Sequence, residues 1–364
     1  MSSEPSSGGT RQRGRPAGAL DVAAVADYVR AREAEGAALK SAVLEYAAIS
    51  RGLDVRRWDE TLITVDLDAG PIPFVNMNGP SCSVASRGFC DQKQLTSACL
   101  QRAGVSVARN RAFRLAEKAE ASAFAHQIGA PLVVKPNSAA RGRGVTLGIY
   151  DMDGFWRAWR VAAKVVAKRP GGHIVVEQHV YGDDYRCFVV DDRVVAMTRR
   201  LRANVVGNGR DSVARLIEAK NRLRARNPYL SRYPISDEIE ELDALRDSGH
   251  RLDHVPAAGT RVTLRGTSNL ATGGDSIDVT DVAHQSYREI VVRAIEAIPG
   301  LHYGGVDLLA RDITAPATPE NHVVSEVEYA PGPGPLFPVE GTPRDVGGAV
   351  LEFYLPRSDR ASAV

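Results

Sequence analysis

Apolar residues recur at three- and four-residue spacing through Val22, Val25, Tyr28 and Val29, just behind Asp21, a residue suited to an N-cap. The pattern predicts a helix from Asp21 onward. A second helical stretch covers about residues 37–49 and ends near Gly52. The period then shortens to extended pieces at residues 55–58 and 62–67. After them come the turn-rich AGPIPFVNMNGPS and a Ser/Cys/Gly segment up to Gly88. Together these pieces predict a small α/β unit over residues 20–88.

Amphipathic helices are predicted at residues 91–102 and 117–128, each followed by a glycine able to close it, Gly104 and Gly129. The apolar run 131–135 reads as a buried strand leading into a glycine-bearing loop over residues 137–144, and strand character resumes at 145–150. A helix over 153–168 precedes a second buried strand at 173–177. Residues 185–190 and 194–199 then form a hairpin turning at Asp191 and Asp192. Residues 216–260 are charged and poor in strand signals, and predict surface helices and loops. A helix at 287–298, paired strands at 304–309 and 323–327, and a last helix at 345–355 complete an α/β or α+β chain with no internal repeat.

A chain of 364 residues with 44% apolar content can bury a core without staples, and its length suits two or three domains or subdomains. Its formal charge of +2 gives no field that would draw it to nucleic acid or anionic lipid. The four cysteines, Cys82, Cys90, Cys99 and Cys187, form no C-x-x-C pair, which suits a reduced compartment. No apolar run reaches membrane-spanning length, and the start of the chain does not read as a signal peptide, so a cytoplasmic protein is expected. Residues 1–19 and 357–364 have the composition of tails.

Only seven of the 46 basic residues are lysines, so a lysine ending an apolar strand stands out. Lys135 is one, beside the loop NSAARGRG, where an ammonium and closely approaching backbone N–H groups suit phosphate oxygens; a snorkelling lysine at an ordinary turn would look similar. Asp307 lies in GGVDLL, while Glu326 and Glu328 alternate in VVSEVEYAPGPGP, which puts both on one strand face. Oxygen ligands of this kind suit Mg²⁺ bound together with substrate phosphates better than an all-protein calcium cage. A third segment, Arg265 to Gly274, is a polar loop whose arginine could meet a phosphoryl group.

In sequence order over residues 83–355, these segments resemble the ATP-grasp superfamily, most nearly the ATP-grasp module of cyanophycin synthetase and that of bifunctional glutathione synthetase. The resemblance rests on Asp91-Gln92-Lys93, VVKP, RGRGV, VVEQHV, GDDYR, RLRANVVGNG, Arg265-x-x-x-Asn269-Leu-x-Thr-Gly-Gly, DVTD, GGVD and EVEYAPG. It implies an ATP-grasp fold, with a lid subdomain at 89–180 and a metal-bearing subdomain at 181–356.

Carried onto this chain, the resemblance assigns Lys93 and Lys135 to the ATP phosphates. Ser138, Arg141, Gly142 and Gly144 fall in a phosphate-covering loop. Glu177, Gln178, His179 and Val180 fall at the adenine, and Asp184 near the ribose. Asp307, Glu326 and Glu328 would hold magnesium, one ion or two, with manganese able to substitute. Arg265 and Asn269 would steady an acyl phosphate, while Arg186, Arg200, Gly273 and Gly274 would face the substrate; surface ion pairs are the alternative for the two arginines. The family's usual glutamate-x-asparagine is here Glu326-Val327-Glu328, a carboxylate in place of an amide.

The implied activity is ATP-dependent ligation of a small carboxylate, such as an amino acid, to an amine or peptide in specialised metabolism. No counterpart of the Mur-ligase-like half of cyanophycin synthetase follows, so a stand-alone ligase is expected. A homodimer is one open arrangement. A nucleotide-binding protein without catalysis, motivated by Glu328, and an ATP-grasp phosphotransferase are the competing readings.

Overall fold

The computed structural model describes residues 20–138, 144–168 and 172–355. Both tails, and Arg141 and Gly142 of the expected phosphate loop, lie outside them. The chain begins with α1 (Val22–Ala34) and α2 (Leu39–Ile49), and the Asp21 side chain accepts from the Ala24 amide as an N-cap should. A three-stranded sheet follows: β1 (Val55–Arg57), β2 (Leu62–Leu67) and β3 (Gly70–Val75). β3 lies in the stretch expected to be turns. It is an edge strand of the order β1-β2-β3, which is where Pro71 and Pro73, each lacking a donor, are tolerated. The Ser/Cys/Gly segment holds a helix. Ser83 caps α3 (Val84–Cys90) by accepting from the Ser86 amide, and α4 (Lys93–Arg102) comes next.

A four-stranded sheet, ordered β4-β7-β5-β6, is built from β4 (Asn110–Arg114), β5 (Leu132–Pro136), β6 (Thr146–Ile149) and β7 (His173–Gln178). Two helices, α5 (Lys118–Ile128) and α6 (Met152–Val166), cover one face. Leu132 and Val134, with Ile174 and Val176, pack there against Phe155, Trp159 and Ala125. Strand alternation therefore sends Val133 and Lys135, and Val175 and Glu177, to the opposite face.

The site-bearing sheet, ordered β12-β9-β8-β13-β14, comprises β8 (Asp183–Val190), β9 (Arg193–Leu201), β12 (Asp275–Asp278), β13 (Tyr303–Ala310) and β14 (His322–Glu328). Its ladders, like those of the other sheets, are antiparallel. One face packs Tyr185, Cys187, Met197, Val306, Leu308 and Val327 against Tyr287, Val291 and Ile295 of α9 (Gln285–Glu296). On the other face, Phe188, Val190, Ala196 and Tyr303 join the core of α2 and the last helix, α10 (Val346–Tyr354).

Between β9 and β12 lies the segment expected to be surface helices and loops. It has a core of its own, in which Ala203, Val205, Val213, Ile217, Ile235, Leu242, Leu245, Val262 and Leu264 meet. These residues come from β10 (Asn204–Val206), α7 (Val213–Arg224), α8 (Asp243–Asp247), β11 (Arg261–Thr263) and the chain around them. They are spread thinly among charges over residues 203–264, so most windows show no period. The apolar surface forms only when β10 and β11 pair. No helix among the described residues is long and apolar enough to cross a membrane.

Candidate active site

Register places the charge on one sheet face. Asp184 lies opposite Arg200, Arg186 opposite Asp307, and Asp307 opposite Glu326. A shift after Asp307 leaves Ser325 as an extra residue in β14, a bulge that re-aims the strand where Glu326 begins. Beyond it, Glu326 and Glu328 share a half-exposed face around buried Val327, as the alternation requires.

Asp307 is buried and accepts from Arg186 and, at 2.8 Å, from Arg200. Burial works against its charge, but the two guanidiniums outweigh it and hold the carboxyl down at about 2. Arg186 also bonds Glu328. Arg200 reaches Asp184 at 2.6 Å, and the Ser268 hydroxyl donates to the other Asp184 oxygen. Asp184, expected near the ribose, is thus joined through Arg200 to Asp307. Arg186 and Arg200 are ion-paired, as the alternative reading has it, but both side chains are largely buried rather than at the surface.

The second wall faces it. Lys93, the first residue of α4, donates to Glu326 at 2.7 Å. Lys135 pairs with Glu177 at 2.8 Å, and both line a narrow cleft with Lys93, Thr96, Asn110, Val324 and Ser325. Asn137, which opens the glycine loop, accepts from the Gln94 amide at 3.2 Å, so the loop's first residue docks on the start of α4. At the far end of β7 the Gln178 amide donates to Arg109, the His179 amide donates to Pro131, and the His179 ring lies 4.7 Å from Tyr181.

Most of the Arg265 loop bonds away from both walls. Arg265 donates to Glu241 at 3.3 Å beside an open cavity of about 470 Å³ that Ser236, Asp243 and Thr272 also line. Asn269 caps a short turn by accepting from the Ala271 amide, a local structural task. Gly273 has φ +95°, and a Cβ on Gly274 would lie 2.7 Å from the Leu201 carbonyl oxygen, so both glycines are required by the turn. The loop residue that does reach the charged face is Ser268. Buried Arg224 holds the loop from behind, donating to the Gly274 carbonyl at 2.9 Å and to Asp275.

Known proteins resemble the chain in sequence and fold. The chain is 35% identical over 272 residues to cyanophycin synthetase from Nostoc sp., covering 73% of this chain and 29% of that protein. Over 332 residues it is 35% identical to the glutathione biosynthesis bifunctional protein of Pasteurella multocida, covering 87% of this chain and 42% of that one. The crystal structure of a bifunctional glutathione synthetase from Pasteurella multocida superposes on 87% of the chain, and on 44% of its own, with a TM-score of 0.66 and 29% identity. The chain belongs to the ATP-grasp superfamily. No family model matches it, and it spans less than half the length of these relatives.

Within this ATP-grasp fold the predicted residues divide. Asp184, Arg186, Arg200, Asp307, Glu326 and Glu328 come together with Lys93, and Lys135 and Glu177 lie across the cleft. Arg265 and Asn269 do not join them. Among the described residues no three acidic, histidine or cysteine side chains converge into a ready-made metal cage; Asp307, Glu326 and Glu328 instead pair with arginines and a lysine. The donor set is nonetheless all hard oxygen. Mg²⁺ normally needs one or two protein carboxylates and takes its remaining ligands from phosphate and water, so these residues fit it.

Sequence reasoning missed Lys40, which reaches from α2 to the Ala330 carbonyl and faces Glu328 and Arg186. Burial pushes its ammonium below the ordinary lysine value. It also missed Tyr229, whose hydroxyl is raised by burial to about 12. The scarcity of lysine was the one available signal for Lys40.

Proposed function

We propose that this ATP-grasp protein is an ATP-dependent carboxylate–amine ligase that forms an amide through an acyl phosphate, with ADP and phosphate as by-products. The observation that carries the reading is the cleft itself. Lys93 bridges the carboxylate face at Glu326 to the cavity lined by Lys135 and Glu177, so cations and acids from distant parts of the chain meet around one space.

The chemistry follows from charge. A carboxylate attacking a γ-phosphate brings anions together, and catalysis is mainly alignment and neutralisation. Lys93 and Lys135 would exchange Glu326 and Glu177 for phosphate oxygens, releasing those carboxylates. Asp307, Glu326 and Glu328 would hold magnesium, which would supply positive charge against the phosphates when bound. Arg186 and Arg200, anchored by Asp307 and Asp184, would fix the acid. Residues 138–144 would cover the phosphates, and closure would keep water from the acyl phosphate until the amine attacks. Gln178 to Val180 would take the adenine edge, and residues 89–180 would act as the lid over 181–356. For Arg265 to reach the acyl phosphate it must leave Glu241. The acid is an amino acid or similar small carboxylate, and the amine is small or peptidic.

ADP formation measured across amino acids, singly and in pairs, with mass spectrometry of the products, tests the reading. Turnover that requires both an acid and an amine is expected. Nucleotide binding without turnover would favour a non-catalytic protein, and a stable phosphorylated product would favour a phosphotransferase. Lys135→Ala and Glu326→Ala should each abolish turnover while circular dichroism stays native; a variant at the wild-type rate removes that residue from the site.

A further inference from the structure

The chain that follows Glu328 is held from outside its own sheet. Lys40 Nζ donates to the Ala330 carbonyl, and Asn78 Nδ2 donates to the Tyr329 carbonyl at 2.6 Å. Two consecutive carbonyls, the first next in sequence to Glu328, are therefore gripped by side chains from the N-terminal unit. Lys40 is the second residue of α2, and Asn78 lies in the turn after β3.

That turn is itself clamped. The Gly79 amide donates to the Tyr303 hydroxyl at 2.6 Å, and the same hydroxyl donates to the Met77 carbonyl. A Cβ on Gly79 would stand 2.5 Å from the Tyr354 hydroxyl and 2.7 Å from the Phe74 ring, so the turn has no slack. Tyr303 starts β13, the strand that carries Asp307. The N-terminal unit thus holds β13 at its start and β14 just past its end, which the antiparallel register brings together at the Glu328 end of the pair.

On this basis, and resting on the ligase reading, we infer that Lys40 and Asn78 are positioning residues for Glu328, and that the N-terminal unit is a structural part of the metal–nucleotide site. Outer-shell groups that orient a metal's ligands commonly govern affinity about 10- to 100-fold, and here the hold acts through the backbone next to Glu328. Neither residue need touch the substrate for this.

The test is Mn²⁺ binding in the presence of ADP, followed by electron paramagnetic resonance on the full chain, for wild type, Lys40→Met, Lys40→Arg and Asn78→Ala. Lys40→Met and Asn78→Ala should weaken Mn²⁺ about tenfold, in the range for such residues. In turnover assays the metal concentration for half-maximal rate should rise by a similar factor, with a smaller change in kcat at saturating metal. Lys40→Arg, which keeps a cationic donor, should recover most of the affinity. Variants that melt earlier but bind Mn²⁺ as wild type would show a merely structural role and overturn the inference. Should Lys40→Met not fold, Asn78→Ala decides alone by the same criterion. A wild-type chain that binds no Mn²⁺ with ADP would overturn the ligase reading and the inference together, whereas unchanged affinity in the variants overturns the inference only.

Discussion

At the scale of single residues, the network is more exacting than its parts. Arg186 neutralises buried Asp307 and reaches Glu328, so Arg186→Ala leaves a buried carboxylate short of a partner. Breaking such a pair costs on the order of 3–5 kcal/mol, which denaturant unfolding would read directly; a loss below about 1 kcal/mol would show that Arg200 alone suffices. His322 gives a pH signature away from the site. Burial pushes its imidazole below the usual 6.5, although its bond to the Thr318 carbonyl pulls partly the other way. The folded chain therefore resists protonation that the unfolded chain accepts. Stability should be full above about pH 6.5 and fall as pH drops through the depressed folded value, and His322→Gln should flatten that limb of the curve. Which carboxylates alternate on β14 was legible from spacing. That Arg186 and Arg200 are buried in the network was not, since nothing local separates a buried arginine from an exposed one in a chain with 39 of them.

Among the elements, close backbone approach explains where substitution is tolerated. A Cβ on Gly304 would lie 2.6 Å from the Glu328 carbonyl oxygen and 3.2 Å from Ile295, with rigid neighbours on both sides. Gly304→Ala should pry β13 from β14 and cost roughly 1–3 kcal/mol, as overpacking does. Gly88, inside α3, meets nothing within 4 Å, so Gly88→Ala should be neutral or stabilising by up to about 1 kcal/mol. Thermal unfolding of the two variants side by side checks the contrast, and equal melting temperatures would contradict it. The helices α1, α2, α5, α6 and α9 were readable from their apolar spacing and end signals, as were the apolar strands β5 and β7. β3 was not, because two prolines mask a strand that only an edge position permits. α3 was hidden by its glycine and serines, and is held by a cap whose helix is not apolar enough to show a period.

For the whole molecule, the expectation is linkage between folding and ligand. If the cleft binds Mg-ADP, nucleotide at 100 times its dissociation constant adds about 2.7 kcal/mol to the stability of the folded state, and chelating the metal should remove most of that. A melting temperature indifferent to Mg-ADP would count against the proposed site. Sequence alone determined the order of motifs, many of the helix and strand periods and the carboxylates on one strand face, because all of these depend on neighbours a few residues away. Only tertiary structure decided that Lys40 and Asn78 grip the chain after Glu328, that Asp184 joins Asp307 through Arg200, and that Arg265 turns to Glu241. Those pairs are set by which strands lie side by side and which loops they press together, and contacts between residues as far apart as 40 and 330 leave no mark on local spacing.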